Sequence, residues 1–347
     1  MTGDRPIGVG LVGYGLAGAV LHAPIIEALP EYRIVAVATS RAEAAARRDA
    51  PVVVPDIDAL LGVDGVELVV VVAPNAAHAA IATAALEAGR HVVIDKPMAP
   101  SVADCDALID LAARTGGVLS VYHNRRWDGD FQAARREVAA ADPVVFEARW
   151  DRFRPETAPG WRNADVSGAG LLWDLGPHMI DQAIALFGWP DAMAADVAVQ
   201  RPGAQADDHF ALTLRYGERR VVLSASMLVA ATRPRFALHG SKGSWWTEGL
   251  DPVEAALRRG VAPSEPGFLA SLPPIPAFRA TSDGGRIADP VAAGDPFAFY
   301  RQMAAAIRGR GPVPVDPVDA RNVVAIIEAA HTGAPLPARR RSEEPSA

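Results

Sequence analysis

The chain of 347 residues has a single cysteine, Cys105. One thiol excludes an intrachain disulfide and a cysteine-based metal cluster. On a helix it reads as a small core residue. Long hydrophobic runs are also missing. The most apolar stretch, Val66 to Ala73, falls far short of the roughly 20 residues that cross a bilayer. The opening residues, Met1 to Pro6, are polar and carry no signal-peptide pattern. A cytoplasmic protein without membrane contact is therefore expected. There is no excess of positive charge. The formal net charge of −7 gives no support for binding nucleic acid, which normally needs a basic face. Neither H-x-x-x-H nor H-E-x-x-H occurs, so a metal-free mechanism is expected. Lysine is nearly absent. Of 34 basic side chains, only Lys96 and Lys242 are lysine. A lysine kept among so many arginines is a candidate for a task arginine cannot do, which is to release a proton near neutral pH.

What is present is ordinary globular composition, with hydrophobic residues at 50%. The length argues for two domains of roughly 100–200 residues each. Apolar runs at Ile7–Val12, Arg33–Ala38, Val52–Val54, Leu68–Val72, His91–Ile94 and Val118–Val121 read as strands. Helical spacing falls between them at Leu16–Leu29, Arg41–Asp49, Ala76–Ala88 and Ser101–Arg114. Strands separated by short helices pair in parallel through right-handed crossovers. The expectation for residues 1–123 is thus an α/β Rossmann domain, a doubly wound parallel sheet with ligands at its carboxyl edge.

The pattern then changes. Helices are expected at Asp128–Ala140 and Asp174–Phe187. Consecutive strands follow at Met193–Gln200, His209–Tyr216, Arg219–Ser226, Arg235–His239 and Gly243–Thr247, with no crossovers between them. Such a run implies a mainly antiparallel, open sheet in an α+β domain over residues 124–337. A second copy could cover its free face, which makes a homo-oligomer the expectation. Residues 260–295 read as a long loop, with closing helices at Phe297–Ile307 and Asp319–Ala330. Residues 338–347 read as a disordered tail.

Gly13-Tyr14-Gly15-Leu16-Ala17-Gly18 is a G-x-G-x-x-G that leaves a strand and opens a helix, the context of a dinucleotide fingerprint. Gly13 allows the tight turn, Gly15 the approach of a pyrophosphate, and Gly18 close helix–strand packing. The helix amino end offers free N–H groups to phosphates. Alone, the hexamer could be an ordinary glycine turn. At the end of the second strand, where a carboxylate would bind the ribose hydroxyls of NAD, the chain has Thr39-Ser40-Arg41. A hydroxyl and a guanidinium suit a 2′-phosphate, which favours NADP over NAD. The alternative is a helix N-cap at Ser40 with Arg41 exposed, and both readings can hold together.

Asp95-Lys96-Pro97 follows the fifth strand at the ligand edge. Lys96 there is a candidate acid/base for a substrate hydroxyl, against the alternative of an exposed turn lysine. Lys242, between Ser and Gly, reads as the bland case. Asp174 and His178 project together from a helix start. His178 would bond the reacting hydroxyl, with its neutral form favoured by the helix dipole. Asp174 could instead be a helix cap, with Pro177 in the first turn. Pro74-Asn75 and His78 follow the fourth strand, where Asn75 caps a helix or faces the cofactor. Asn124 and Arg125, within Tyr122-His123-Asn124-Arg125-Arg126-Trp127, are candidate substrate contacts or domain-packing residues. Trp161-Arg162 is an aromatic–cation pair in a loop.

Taken in order, the Gly13–Gly18 loop, Pro74-Asn75 with His78, Asp95-Lys96-Pro97, Trp161-Arg162, and Asp174 with His178 resemble the Gfo/Idh/MocA oxidoreductases over roughly residues 6 to 335. One departure is Asp95, where that family more often has Glu. The glycine loop, Tyr122–Asp128 and Asp174–His178 look like the branch of NADP-dependent scyllo-inositol dehydrogenases. The resemblance implies Lys96 as acid/base with Asp174 and His178 completing a polyol site. It also implies that Trp161 and Arg162 line the cofactor or substrate pocket. It admits two alternatives: a reductase of another sugar, carbonyl or imine compound, or an NADP-binding regulator that turns nothing over.

Overall fold

The computed structural model describes residues 5–41, 51–157, 160, 163–164, 166–281 and 284–342. The first region is a six-stranded, all-parallel sheet in the order β3-β2-β1-β4-β5-β6. Its strands are β1 (Ile7–Val12), β2 (Tyr32–Ala38), β3 (Val52–Val54), β4 (Leu68–Val71), β5 (His91–Ile94) and β6 (Leu119–Val121). β1 and β4 are buried at every position, as expected of strands covered on both faces. The connecting helices are α1 (Ala23–Glu27), α2 (Ile57–Leu61), α3 (His78–Glu87) and α4 (Val102–Thr115). Local chemistry sets their ends. Asp56 and Ser101 cap α2 and α4 by accepting from Ala59 and Asp104 N–H, and Gly116 closes α4 in the left-handed region. The helix expected at Leu16–Leu29 is a π-helical turn over Ala17–His22 that runs into the short α1. The helix expected at Arg41–Asp49 falls almost wholly outside the described residues.

The second sheet has eight strands in the order β14-β13-β12-β11-β7-β10-β9-β8. These are β7 (Val145–Arg149), β8 (Ala192–Ala198), β9 (His209–Tyr216), β10 (Arg219–Ser226), β11 (Phe236–Gly240), β12 (Gly243–Thr247), β13 (Ala277–Ala280) and β14 (Arg286–Ala288). All its pairings are antiparallel except β7 with β10. β7, a central strand, has no counterpart among the expected ones. Its in-and-out alternation covers only five residues, with Phe146 and Ala148 inward. β13 and β14 lie inside the expected loop 260–295, where the surrounding prolines and glycines hide two short strands, with β14 at the sheet edge.

Three helices cover one face of this sheet: α5 (Gly129–Ala141), α6 (Leu171–Phe187) and α9 (Pro317–Thr332). Their core, with Phe146, Phe210, Leu212, Val221, Leu223 and Phe236 from the strands, is continuous with one face of the parallel sheet. α7 (Pro252–Arg258) and α8 (Ala298–Ile307) lie within residues 124–337 but pack on the other face of the parallel sheet, with Ile7, Val9 and Leu11. Of the expected tail, residues 338–342 are described. Arg340 pairs with Asp106 and Asp110 of α4 and exchanges hydrogen bonds with Asn322 of α9. No described helix is long and apolar enough to cross a membrane.

Candidate active site

The carboxyl ends of β1, β2, β4, β5 and β6 gather the expected residues at one edge of the parallel sheet. The glycine loop has the form a dinucleotide needs. Gly13 has φ +101°, and a Cβ there would stand 2.4 Å from Val72 O at the end of β4. A Cβ on Gly18 would stand 2.3 Å from Gly13 O, so the helix start lies directly on the turn. A Cβ on Gly15 would meet nothing within 4 Å, leaving open space over the backbone. The three glycines thus fit a tight turn, a close packing contact and a cradle for a pyrophosphate. Tyr14 is buried, Ala17 is half-buried and Leu16 is exposed beside the cradle. At the end of β2, Ser40 and Arg41 are exposed, and Arg41 N–H donates to Thr39 Oγ1 at 3.0 Å.

Lys96 reaches across to α6. Its Nζ donates to the backbone oxygen of Asp174 at 2.6 Å and stands 3.3 Å from Asp174 Oδ1. The Lys96–Pro97 peptide bond is cis. Asp95 Oδ1 accepts the backbone N–H of Lys96 at 2.8 Å. Burial pushes the Asp95 carboxyl up. The close approach of His22, then the charge of Lys96, outweigh burial and hold it at about 2. His78 sits under this turn with Nδ1 2.8 Å from Pro97 O and Nε2 2.9 Å from Ala73 O. Both of its nitrogens therefore face backbone, and burial first of all lowers its pKa. Pro74 is exposed. Asn75 neither caps its helix nor faces open space. Its amide donates to Gly168 O at 2.8 Å, tying the end of β4 to the chain before α6.

Asp174 and His178, four residues apart, share one face of α6. The helix starts three residues earlier than expected, at Leu171. Asp207, far off in sequence, supplies its cap, accepting from Leu171 and Leu172 N–H through backbone and carboxylate. Gly170 lies so close that a Cβ would stand 1.9 Å from Asp207 Oδ1. Asp174 is therefore no cap, and Pro177 lies inside the helix rather than in its first turn. His178 is two turns in, too deep for the helix dipole to act on it. Burial, and then the cations of Lys96, Arg125, His123 and Arg235, drive its pKa well below the ordinary value, so the ring is neutral. It stacks on Trp150, with centroids 5.6 Å apart. Its Nδ1 is buried without a protein hydrogen-bond partner among the described residues.

Arg125 and Asn124 follow β6. Arg125 is buried, pairs with Asp128 at 3.0 Å and with Glu254 of α7, and lies over Trp150. These bonds bind it into the joint between regions. Asn124 and Arg125 line a small cavity of about 20 Å³ against Leu21, Ile25 and Leu257, which Lys96, Asp174 and His178 do not line. Trp161 and Arg162 lie outside the described residues. Buried Arg201 donates to Arg154 O, Glu156 O and Asn163 Oδ1 and pairs with Asp208.

Sequence reasoning missed Arg152, which stands 3.4 Å from Asp174 Oδ2, opposite Lys96. It also missed Trp150 under His178. Both follow β7, the strand that the sequence hides. It missed His22 as well, whose only signal is a lone polar side chain on the apolar face after Gly18. No described group of three or more His, Cys, Asp or Glu side chains could hold a metal ion.

An oxidoreductase family with an NAD-binding Rossmann fold matches residues 7–123, and its C-terminal alpha/beta domain matches residues 141–334. The chain belongs to the Gfo/Idh/MocA oxidoreductase family. Among its relatives is the scyllo-inositol 2-dehydrogenase (NADP(+)) of Bacillus subtilis, 38% identical over 93% of this chain and 92% of that one. The D-glucoside 3-dehydrogenase of Escherichia coli is 31% identical over 58% of this chain and 60% of its own. A solved Bacillus subtilis protein described as an oxidoreductase superposes with a TM-score of 0.89 at 36% identity, covering 94% of this chain and 96% of that one. As a Gfo/Idh/MocA member the chain is an NAD(P)-binding oxidoreductase. Its parallel sheet is the nucleotide-binding half of that fold.

Proposed function

We propose that this protein is an NADP-dependent dehydrogenase that interconverts a secondary alcohol and a ketone in a cyclic polyol or sugar, with an inositol as the first candidate. The observation that carries the reading is the Lys96–Asp174 contact, 2.6 Å to the backbone oxygen and 3.3 Å to the carboxylate, made at the carboxyl edge one helical turn from a neutral His178. The nicotinamide supplies the hydride acceptor or donor when bound. Gly13, Gly15 and Gly18 shape the seat of its pyrophosphate, and Ser40 and Arg41 take the 2′-phosphate. Lys96 passes the proton of the reacting hydroxyl. Asp174 fixes the ammonium, and His178 bonds the same hydroxyl through Nε2. Trp150 and the α6 backbone exclude water from the ring's buried side. Kinship with an NADP-dependent scyllo-inositol 2-dehydrogenase over nearly the full chain supports the substrate class.

Initial rates with NADP and NAD, against inositol isomers and common aldoses, test the reading. NADP-dependent turnover of an inositol is the expected result. Turnover confined to an aldose or glucoside would move the substrate. NADPH binding with no turnover of any polyol or sugar would overturn the reading in favour of a regulator. The uncovered face of the second sheet is assigned to contact with another copy of the chain. Light scattering should then give a dimer or tetramer, and a monomer at micromolar concentration contradicts the assignment.

A further inference from the structure

Behind the Asp95–Lys96 turn lies a buried chain of polar groups that the proposed reaction does not use. His22, 1% exposed, closes the π-helical turn that follows the glycine loop. Its Nε2 stands 3.9 Å from Asp95 Oδ1, and its Nδ1 stands 2.6 Å from the phenol oxygen of Tyr300 on α8. Tyr300 is fully buried, and its backbone oxygen accepts the phenol of Tyr32 at 2.7 Å. The Tyr122 ring lies 4.1 Å from the imidazole and holds it from the side.

These contacts define where the protons sit. A lone pair on Nε2 would face a carboxylate and be repelled, so Nε2 carries hydrogen. Burial keeps Tyr300 protonated far above its ordinary range, so its phenol has a hydrogen to give to the Nδ1 lone pair of a ring that carries hydrogen on Nε2. At 3.9 Å the contact with Asp95 is an ion–dipole or ion-pair contact, longer than a hydrogen bond. It acts on the same oxygen that receives the Lys96 backbone N–H.

We propose that His22 and Tyr300 are positioning residues: the phenol fixes the imidazole with Nε2–H toward Asp95, and Asp95 in turn fixes the turn that aims Lys96. The inference rests on the reading of Lys96 as the proton carrier, but its first test does not. A long-range proton–nitrogen spectrum of the imidazoles in the full-length protein, with His22 assigned by its loss in His22→Asn, reads the tautomer directly. Hydrogen on Nε2 is expected, and a neutral ring protonated on Nδ1 alone overturns the proposal.

The second test is kinetic. Tyr300→Phe keeps the ring and removes the donor. Roughly a tenfold fall in kcat is expected, the scale of a small misplacement of a reacting group. KM for substrate and NADPH affinity by fluorescence should move less than about threefold. His22→Gln, whose amide can still donate toward Asp95, should keep more activity than His22→Leu. Equal activity in the Gln and Leu variants, or a Tyr300→Phe enzyme with wild-type kcat while Lys96→Met is inactive, overturns the positioning role. A Lys96→Met enzyme of normal activity sinks the acid–base reading instead.

Discussion

The two lysines of this chain occupy opposite kinds of environment, and the contrast separates scarcity from function. Lys96 lies in the cleft between the two sheets, with its side chain 16% exposed and its ammonium on the backbone and carboxylate of Asp174. Lys242 sits in the β11–β12 hairpin, exposed, and donates to Ala140 O near the carboxyl end of α5. There its charge meets the negative end of a helix dipole, a service any cation could provide. Both lysines are equally rare in sequence. Only Lys96, placed by a strand end and facing a helix, has the neighbours that the proposed proton transfer requires.

Lys96→Arg sharpens this contrast most, because the charge and a contact with Asp174 survive while the releasable proton does not. Turnover should fall by about 10²–10⁴-fold, the usual worth of acid–base catalysis, with NADPH binding retained by fluorescence titration. Arg41→Asp at the other end of the cofactor seat should shift the NADP over NAD preference in kcat/KM by roughly 10–100-fold, the scale of one charge-assisted hydrogen bond.

The pH dependence of stability gives a smaller effect. His178 has a folded pKa below its unfolded value of 6.5. It therefore contributes stability above pH 6.5 that is lost as pH falls. Urea unfolding of His178→Phe should show a flatter dependence between about pH 6.5 and 5 than wild type. Asp95, at about 2 against 3.8, contributes stability above pH 3.8 that is lost as pH falls toward 2. Lys242→Met should change neither turnover nor stability beyond about 0.5 kcal/mol. A large loss of turnover there would break the comparison.

The parallel sheet and its edge were readable because each signal is local. Gly13, Gly15 and Gly18, the strand before them, and Asp95-Lys96 after another strand are contiguous patterns with a direct physical meaning. Asp174 and His178 could be paired from their spacing alone. What escaped depends on residues distant in sequence. Asp207 sets the start of α6, and so changes the reading of Asp174 and Pro177. Asn75 was visible as a polar residue after β4, but its partner Gly168 is 93 residues away. β7 is short and flanked by Pro143, so its place at the centre of the second sheet, and with it Trp150 and Arg152 beside the site, was hidden. The neutral state of His178 was expected for the wrong reason: burial and neighbouring cations act there, not the helix dipole.

Chemical rescue tests the central claim most directly. Lys96→Ala would be assayed with NADP and the best polyol substrate, with and without added methylamine. The account predicts turnover reduced by at least about 10²-fold, rising with amine concentration as the free base replaces the missing proton carrier. Turnover near wild type in the absence of amine would contradict it.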